Sequence, residues 1–364
     1  MFSSNRLEIA RKRRKLTQND LAKKIGIEAR TIRGYERCEY EPANEILVKI
    51  ASVLDFPVEW FQEEDLFLPM ENIVSFRSLA RMSAGNRNAA LAAGSIGFIF
   101  NKWVEKRYTL PKLDVPFIDS QEPEAVAESL RRKWGIGELP IKNMIHLLES
   151  KGIRVFSMSE DTLEVDAYSF WKDGVPFIFL NTKKTTERSR FDAAHELGHL
   201  VMHRHNDSSG KNAEREANSF ASAFLMPKGG MLANSSFFAA VELERLIELK
   251  KHWLVSISAL IYRLHSLKIL KEARYRSLYI QLSQRGYRTN EPNTYPREMS
   301  LTLTQIFRFL QKEGISKEKI AAELRIPVEE INNLIFGMTI TSISEASFVS
   351  QSKERPASYL RVIK

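Results

Sequence analysis

The sequence predicts a multidomain chain, with a small all-α module first, an α+β domain in the middle and a mostly helical C-terminal region. Three observations carry this. At 364 residues the chain exceeds what one ordinary core holds and divides into two or three domains. A composition of 43% hydrophobic and 27% charged residues is that of a globular protein, not a fibrous or disordered one. The hydrophobic period also changes along the chain, helical at both ends and mixed with strand-like runs between residues 124 and 227.

Residues 5–62 hold four or five short helical patterns separated by tight turns, with apolar positions at Leu7, Ile9, Leu21, Ala22, Ile25, Ile32, Leu47, Ile50, Ala51 and Leu54. They define a first domain over 1–68. Residues 69–123 carry an alanine-rich helical segment and a Pro-containing connector. The α+β domain spans 124–240: AVAESLRRKWG and IKNMIHLLESKG have helical period and close on Gly, GIRVFSM and VPFIFLN are β-rich, and RFDAAHELGHLVMHRH is helical again. Residues 241–345 are a helical region and 346–364 a loose Ser-rich tail. Within the helical region, LTQIFRFLQKEGISKEKIAAELRIPVEEINNLIFG again places two helices around a turn and could mimic a helix-turn-helix, but it lacks basic residues on its second helix and reads as a structural or docking segment. No repeat at a fixed period is visible.

Composition excludes several classes of function. The longest apolar stretch, Leu91 to Phe100, is far short of the roughly 20 residues that cross a bilayer. The basic N-terminus lacks an apolar stretch of the secretory kind, so a cytoplasmic protein is expected. A single cysteine, Cys38, rules out an internal disulfide and a cysteine-rich zinc site, so any metal must be held by His and carboxylate. The net charge of +9 suits a polyanionic partner, although mildly basic cytoplasmic proteins are common.

His195-Glu196-Leu197-Gly198-His199 puts two imidazoles one helical turn apart on one face, where both reach a single zinc ion. Glu196, next to them, reaches the water on that zinc as general base, the arrangement that peptide-bond hydrolysis needs. A chance HExxH is the bland alternative; only 7 His in the chain, and a place directly after a β-rich run, weigh against it. A catalytic zinc takes a third protein ligand. His205 has the metzincin spacing, but Met202 stands where that signature needs Gly to turn the chain. On the following helix Glu214 and Asn218 lie one turn apart, Glu214 as ligand and Asn218 as hydrogen-bond partner of a ligand His, which is the gluzincin ExxxD pattern with Asn for Asp. Glu216, on another face, is the reserve ligand. Without the upstream motif these acids would read as a solvated first turn favoured by the helix dipole.

RSRFDAAHELGHLVMH followed by EREANSFASAFLMP resembles the ImmA/IrrE family of metallopeptidases, in detail over about 140–230. The resemblance implies a zincin-like metallopeptidase domain and a protein substrate, a helix-turn-helix repressor or antitoxin cut at one site to release stress, prophage or mobile-element genes. The strand at 175–181 resembles the zincin edge strand, which aligns a substrate peptide by β-addition. Tyr168, Arg190 and His203 are candidate oxyanion or substrate contacts, though such residues more often serve structure.

In the first domain, Thr17 caps a helix beginning TQNDLA, Gly26 makes the turn, and residues 28–37 form a second helix. TQxxLAxxxGI and the later YER resemble the Cro/CI (XRE) type of helix-turn-helix. That fold implies DNA contacts from Gln18, Arg30, Thr31 and Arg33, with Lys12, Arg13 and Arg14 on phosphates. Cys38 replaces the family's Gly after YER, and Glu39 and Glu41 replace basic residues, so a protein-docking role for the module competes with DNA binding. Two functions remain in play: a zinc endopeptidase localised by a DNA-binding module, and a transcription factor that keeps the peptidase fold as a sensor or dimer scaffold. A homodimer is compatible with either.

Overall fold

Capping residues and apolar spacing set the N-terminal helices. The computed structural model describes residues 2–69, 75–76, 83–120, 122–158, 166–203, 210–233, 241–339 and 361–362. Thr17 Oγ1 accepts from the Asp20 amide while the Asp20 carboxylate accepts from the Thr17 amide, a reciprocal cap that starts helix Gln18–Ile25. Gly26, at φ +77°, ends it, and helix Ala29–Glu36 follows. Helices Ser4–Arg13 and Asn44–Leu54 close over Leu7, Leu21, Ile32, Leu54 and Trp60, all fully buried. Arg11 grips Glu36 with two nitrogens at 2.6 and 2.8 Å, tying the first helix to the third.

The chain forms two compact units that do not follow chain order. One comprises Met1–Pro111, Phe156–Val165 and Ser300–Lys364, the other Lys112–Val155 and Asp166–Met299. In the first unit the alanine-rich helix Ala84–Glu105 packs along Ser4–Arg13, its small side chains permitting the close approach. Helices Leu301–Lys312, Lys317–Leu324 and Val328–Ile335 belong to the same unit: Phe307 stacks on Phe100, and Trp103 Nε1 donates to Glu323 at 2.8 Å. The short strands Tyr108–Thr109 and Arg361–Val362 pair antiparallel, while the rest of the Ser-rich tail lies outside the described residues.

The second unit is built around helix Thr186–Met202, nearly every residue of which is buried. Helices Pro123–Lys133, Lys211–Leu225, Leu243–Trp253, Ile257–Ser266 and Glu272–Gln284 belong to it. Its hairpin joins Ala167–Lys172 to Val175–Leu180 through Asp173 and Gly174, both with positive φ, the two-residue turn that matches strand twist. Alternation splits the first strand's side chains between two faces. Tyr168 and Phe170 stack on Phe179 and Phe177 across the hairpin, whereas Trp171 donates to the Leu200 carbonyl of the central helix at 3.3 Å. Strand Arg154–Ser157 follows Val175–Leu180 in the sheet order, so the strand expected at a sheet edge is interior. With both of its sides paired it has no backbone row to offer a substrate, and β-addition at 175–181 is withdrawn.

Cys38 takes φ +58°, the left-handed conformation that a Gly fills without strain. Cys38→Gly removes a penalty of about 1 kcal/mol, partly offset by the entropy of an unfolded Gly. The denaturation midpoint of the unit should therefore rise slightly; a lower midpoint would mean that the Cys38 side chain stabilises the turn more than the backbone strains it.

Candidate metal centre

Helix Thr186–Met202 is fixed at several points along its length before it presents any chemistry. Thr185 caps it, Lys250 Nζ pairs with Glu187 at 3.0 Å in a fully buried setting, and Arg190 donates to the Leu254 and Ile141 carbonyls and pairs with Glu298. Burial pulls the Arg190 guanidinium down to about 10, which still leaves it charged near neutral pH. Arg190 is thereby committed to holding the helix and is not among the groups gathered at the motif.

Helix Lys211–Leu225 packs against the central helix at Gly198. A Cβ there would lie 2.9 Å from Phe220 Cδ1 and 3.3 Å from Ala217 Cα, so only Gly allows this approach. The approach brings a carboxylate to the two imidazoles. His195 Nε2 and His199 Nε2 are 3.1 Å apart, and Glu214 lies 3.5 Å from the first and 3.2 Å from the second. Among the described residues these three form the group whose donor atoms could share one metal ion.

Outer hydrogen bonds fix which atoms face the centre. Asn218 Nδ2 donates to the Glu214 carbonyl at 2.8 Å, which leaves Asn218 Oδ1 to accept from His195 Nδ1 at 3.2 Å. His203 Nε2 lies 2.8 Å from Glu216 and donates to it, which leaves His203 Nδ1 to accept from His199 Nδ1, 3.0 Å away. Each ligand imidazole therefore carries its proton outward and aims the Nε2 lone pair inward. Two lone pairs and a carboxylate converge in a buried space, and Glu214 Oε1 is a buried oxygen with no hydrogen bond. Such a set repels itself unless a cation sits between its members. Burial pushes His199 down to about 3, keeping it neutral.

Glu196 is fully buried, and Ser169 Oγ donates to its Oε2 at 2.7 Å. Ser169 escaped sequence reasoning; its signal is a single small hydroxyl in the aromatic strand AYSFWK, one position from Tyr168. Tyr168 alternates to the other face, where its ring lies 4.8 Å from that of Phe179, away from Glu196. His203 and Glu216 stand behind His199, and the candidate third ligand His205 lies outside the described residues.

Residues 148–265 match the family model described as an IrrE N-terminal-like domain, a peptidase family, and residues 7–61 match a helix-turn-helix model. The chain joins a helix-turn-helix domain to an IrrE N-terminal-like domain. No curated protein matches it. The IrrE N-terminal-like domain contains both metal-centre helices and the hairpin with Ser169. The helix-turn-helix domain marks the chain as a DNA-binding protein. On its second helix Arg30 and Arg33 are exposed and Thr31 is half-buried, while Gln18 Nε2 is held by Glu36 at 2.6 Å. Arg13 and Arg14, expected on phosphates, instead pair with Glu330 at 2.7 and 2.8 Å.

Two outcomes test the centre. Glu214→Gln should lose most of the metal, whereas Glu216→Gln, one shell further out, should weaken it only about 10–100-fold in a chelator competition; equal losses would contradict the ligand assignment. Gly198→Ala should weaken metal binding with all three ligands intact, by forcing the helices apart, and unchanged affinity would show that their contact is dispensable.

Proposed function

We propose that this protein is a zinc-dependent, site-specific endopeptidase whose helix-turn-helix domain binds DNA and so localises or regulates it. The observation that carries the reading is the convergence of His195, His199 and Glu214, with Glu196 on the same helix anchored by Ser169. Zinc bound by these ligands would act as a Lewis acid and lower the pKa of a water molecule toward neutrality. The chain's own part is to position and to move a proton. Glu196 takes the proton of the attacking water and returns it to the leaving amine. Ser169 holds one carboxylate oxygen so that the side chain keeps one rotamer, and Asn218 and His203 hold the ligand imidazoles in the tautomer that leaves Nε2 inward. Asn218 in place of the commoner Asp still accepts through its amide oxygen, so activity is retained.

The substrate in this reading is a helix-turn-helix repressor or antitoxin, cut in the cytoplasm to release stress, prophage or mobile-element genes. No described helix is long and apolar enough to cross a membrane. The protein loaded with zinc should cleave a helix-turn-helix repressor or antitoxin when incubated with candidates encoded by neighbouring genes. Glu196→Gln should bind zinc normally and cut about 10²–10⁴-fold more slowly. Cleavage that survives in Glu196→Gln would remove Glu196 as base, and absence of any zinc-dependent cut would leave the DNA-binding scaffold reading in its place.

A further inference from the structure

The segment read as a docking element, 301–338, repeats the first three helices of the helix-turn-helix domain, and the helix-turn-helix match at 7–61 does not reach it. Residues 315–337 superpose on 16–38 in sequence without a gap. Helix Gln18–Ile25 corresponds to Lys317–Leu324 and helix Ala29–Glu36 to Val328–Ile335, each pair with the same bounds. Thr17 and Ser316 cap their helices in the same way, each accepting from the amide three residues on. Left-handed backbone falls at the same three places: Lys15 and Gly314 (φ +57° and +68°), Gly26 and Arg325 (+77° and +55°), Cys38 and Gly337 (+58° and +65°).

The turn hydrogen bonds repeat as well. Leu16 N to Arg11 O matches Ile315 N to Leu310 O, Ile27 N to Ala22 O matches Ile326 N to Ala321 O, and Thr31 N to Glu28 O matches Glu330 N to Pro327 O. Leu21, Ala22 and Ile32 are buried in one copy, and Ile320, Ala321 and Ile331 in the other. Two copies make a pair and not an array, which is why no fixed period appears in the sequence.

The chemistry of the second copy is inverted. Where the first presents Arg30, Thr31 and Arg33, the second has Glu329, Glu330 and Asn332, and carboxylates at those positions repel the phosphates that surround a base edge. Glu330 is buried, one oxygen 2.7 Å from Arg13 and the other 2.8 Å from Arg14. Those arginines end the first helix of the DNA-binding copy, in the run RKRRK just ahead of the helix that crosses the phosphate backbone in this fold. We propose that residues 301–338 are a second helix-turn-helix diverted from DNA to protein. Its reading helix, through Glu330, occupies Arg13 and Arg14 of the first copy and withholds their charge from DNA.

The proposal rests on the reading that residues 7–61 bind DNA, and the test separates the two. The probe is a short duplex DNA of random sequence, titrated with the full chain at several salt concentrations. Glu330→Gln keeps the size of the side chain and removes one carboxylate from both guanidiniums, while Arg14 keeps the Leu54 and Asp55 carbonyls and the Asp55 carboxylate at 3.4 Å. Affinity at low salt should rise about tenfold, and the slope of log K against log salt should steepen by about one to two, near 0.9 for each phosphate neutralised. Arg14→Gln in the otherwise wild-type chain should leave the slope unchanged, because that charge is already taken by Glu330 and Asp55, and Asp55→Asn should leave it unchanged too, because Glu330 still holds Arg14; together these two variants decide the matter if Glu330→Gln does not fold. DNA binding by the wild type with the same slope in Glu330→Gln, or a shallower slope in Arg14→Gln, overturns the clamp while leaving the DNA reading intact. Absence of binding by either protein removes both.

Discussion

The candidate centre depends on how closely two helices approach at Gly198. The central helix supplies two imidazoles and an acid, but the cluster exists only because the second helix comes near enough to deliver Glu214. With a side chain at 198 the contact with Ala217 and Phe220 would open, and three mutually repelling donors would gain the room to separate. The outer hydrogen bonds then do the finer work. Asn218 and His203 determine where the protons sit, and with them whether the imidazoles offer lone pairs or N–H groups inward. The two helices and their outer partners act as one device, which converts close packing into a site of defined protonation.

Much of this arrangement was legible in the sequence, because it is written in helical spacing. His195, Glu196, His199, Glu214 and Asn218 all follow from i, i+1 and i+4 relations on two helices, and the structure joins His195, His199, Glu214 and Asn218 in one connected set of contacts. Glu196 accepts from Ser169. Ser169 lies on a hairpin, and which strand residues face a helix depends on register and sheet placement that sequence alone does not fix. The same limit explains the strand at 175–181, whose β pattern is plain but whose neighbours come from tertiary structure. Glu216 was ambiguous as a third ligand because rotation about a helix distinguishes two faces without saying what lies opposite each.

Domain organisation shows a similar boundary. The helical patterns at 241–345 look like one region in the sequence, yet helices 243–284 belong with the metal centre and helices 301–335 with the DNA-binding copy. Helical period reports that a face is buried and is silent about its partner. The divergence of the two helix-turn-helix copies follows the same logic: buried positions and left-handed turns are retained, while exposed charges have changed sign, so composition conceals what backbone conformation keeps.

One stretch of extended chain, 291–298, has a consequence for any attempt to isolate the part that carries the candidate centre. Glu291 is the second carboxylate on buried Lys250, the Tyr295 carbonyl accepts from Thr186, and Glu298 both holds Arg190 and receives the Met144 and Ile145 amides at the start of a helix. A fragment trimmed to residues 148–265 would lack Glu291, Tyr295 and Glu298, and Arg190 would lose the carboxylate it pairs with inside a low-dielectric interior. Severing one partner from a buried pair costs on the order of 3–5 kcal/mol, a large part of the stability of an ordinary domain. The smallest excisable piece is therefore set by counter-ions, and it runs to the residue before Ser300.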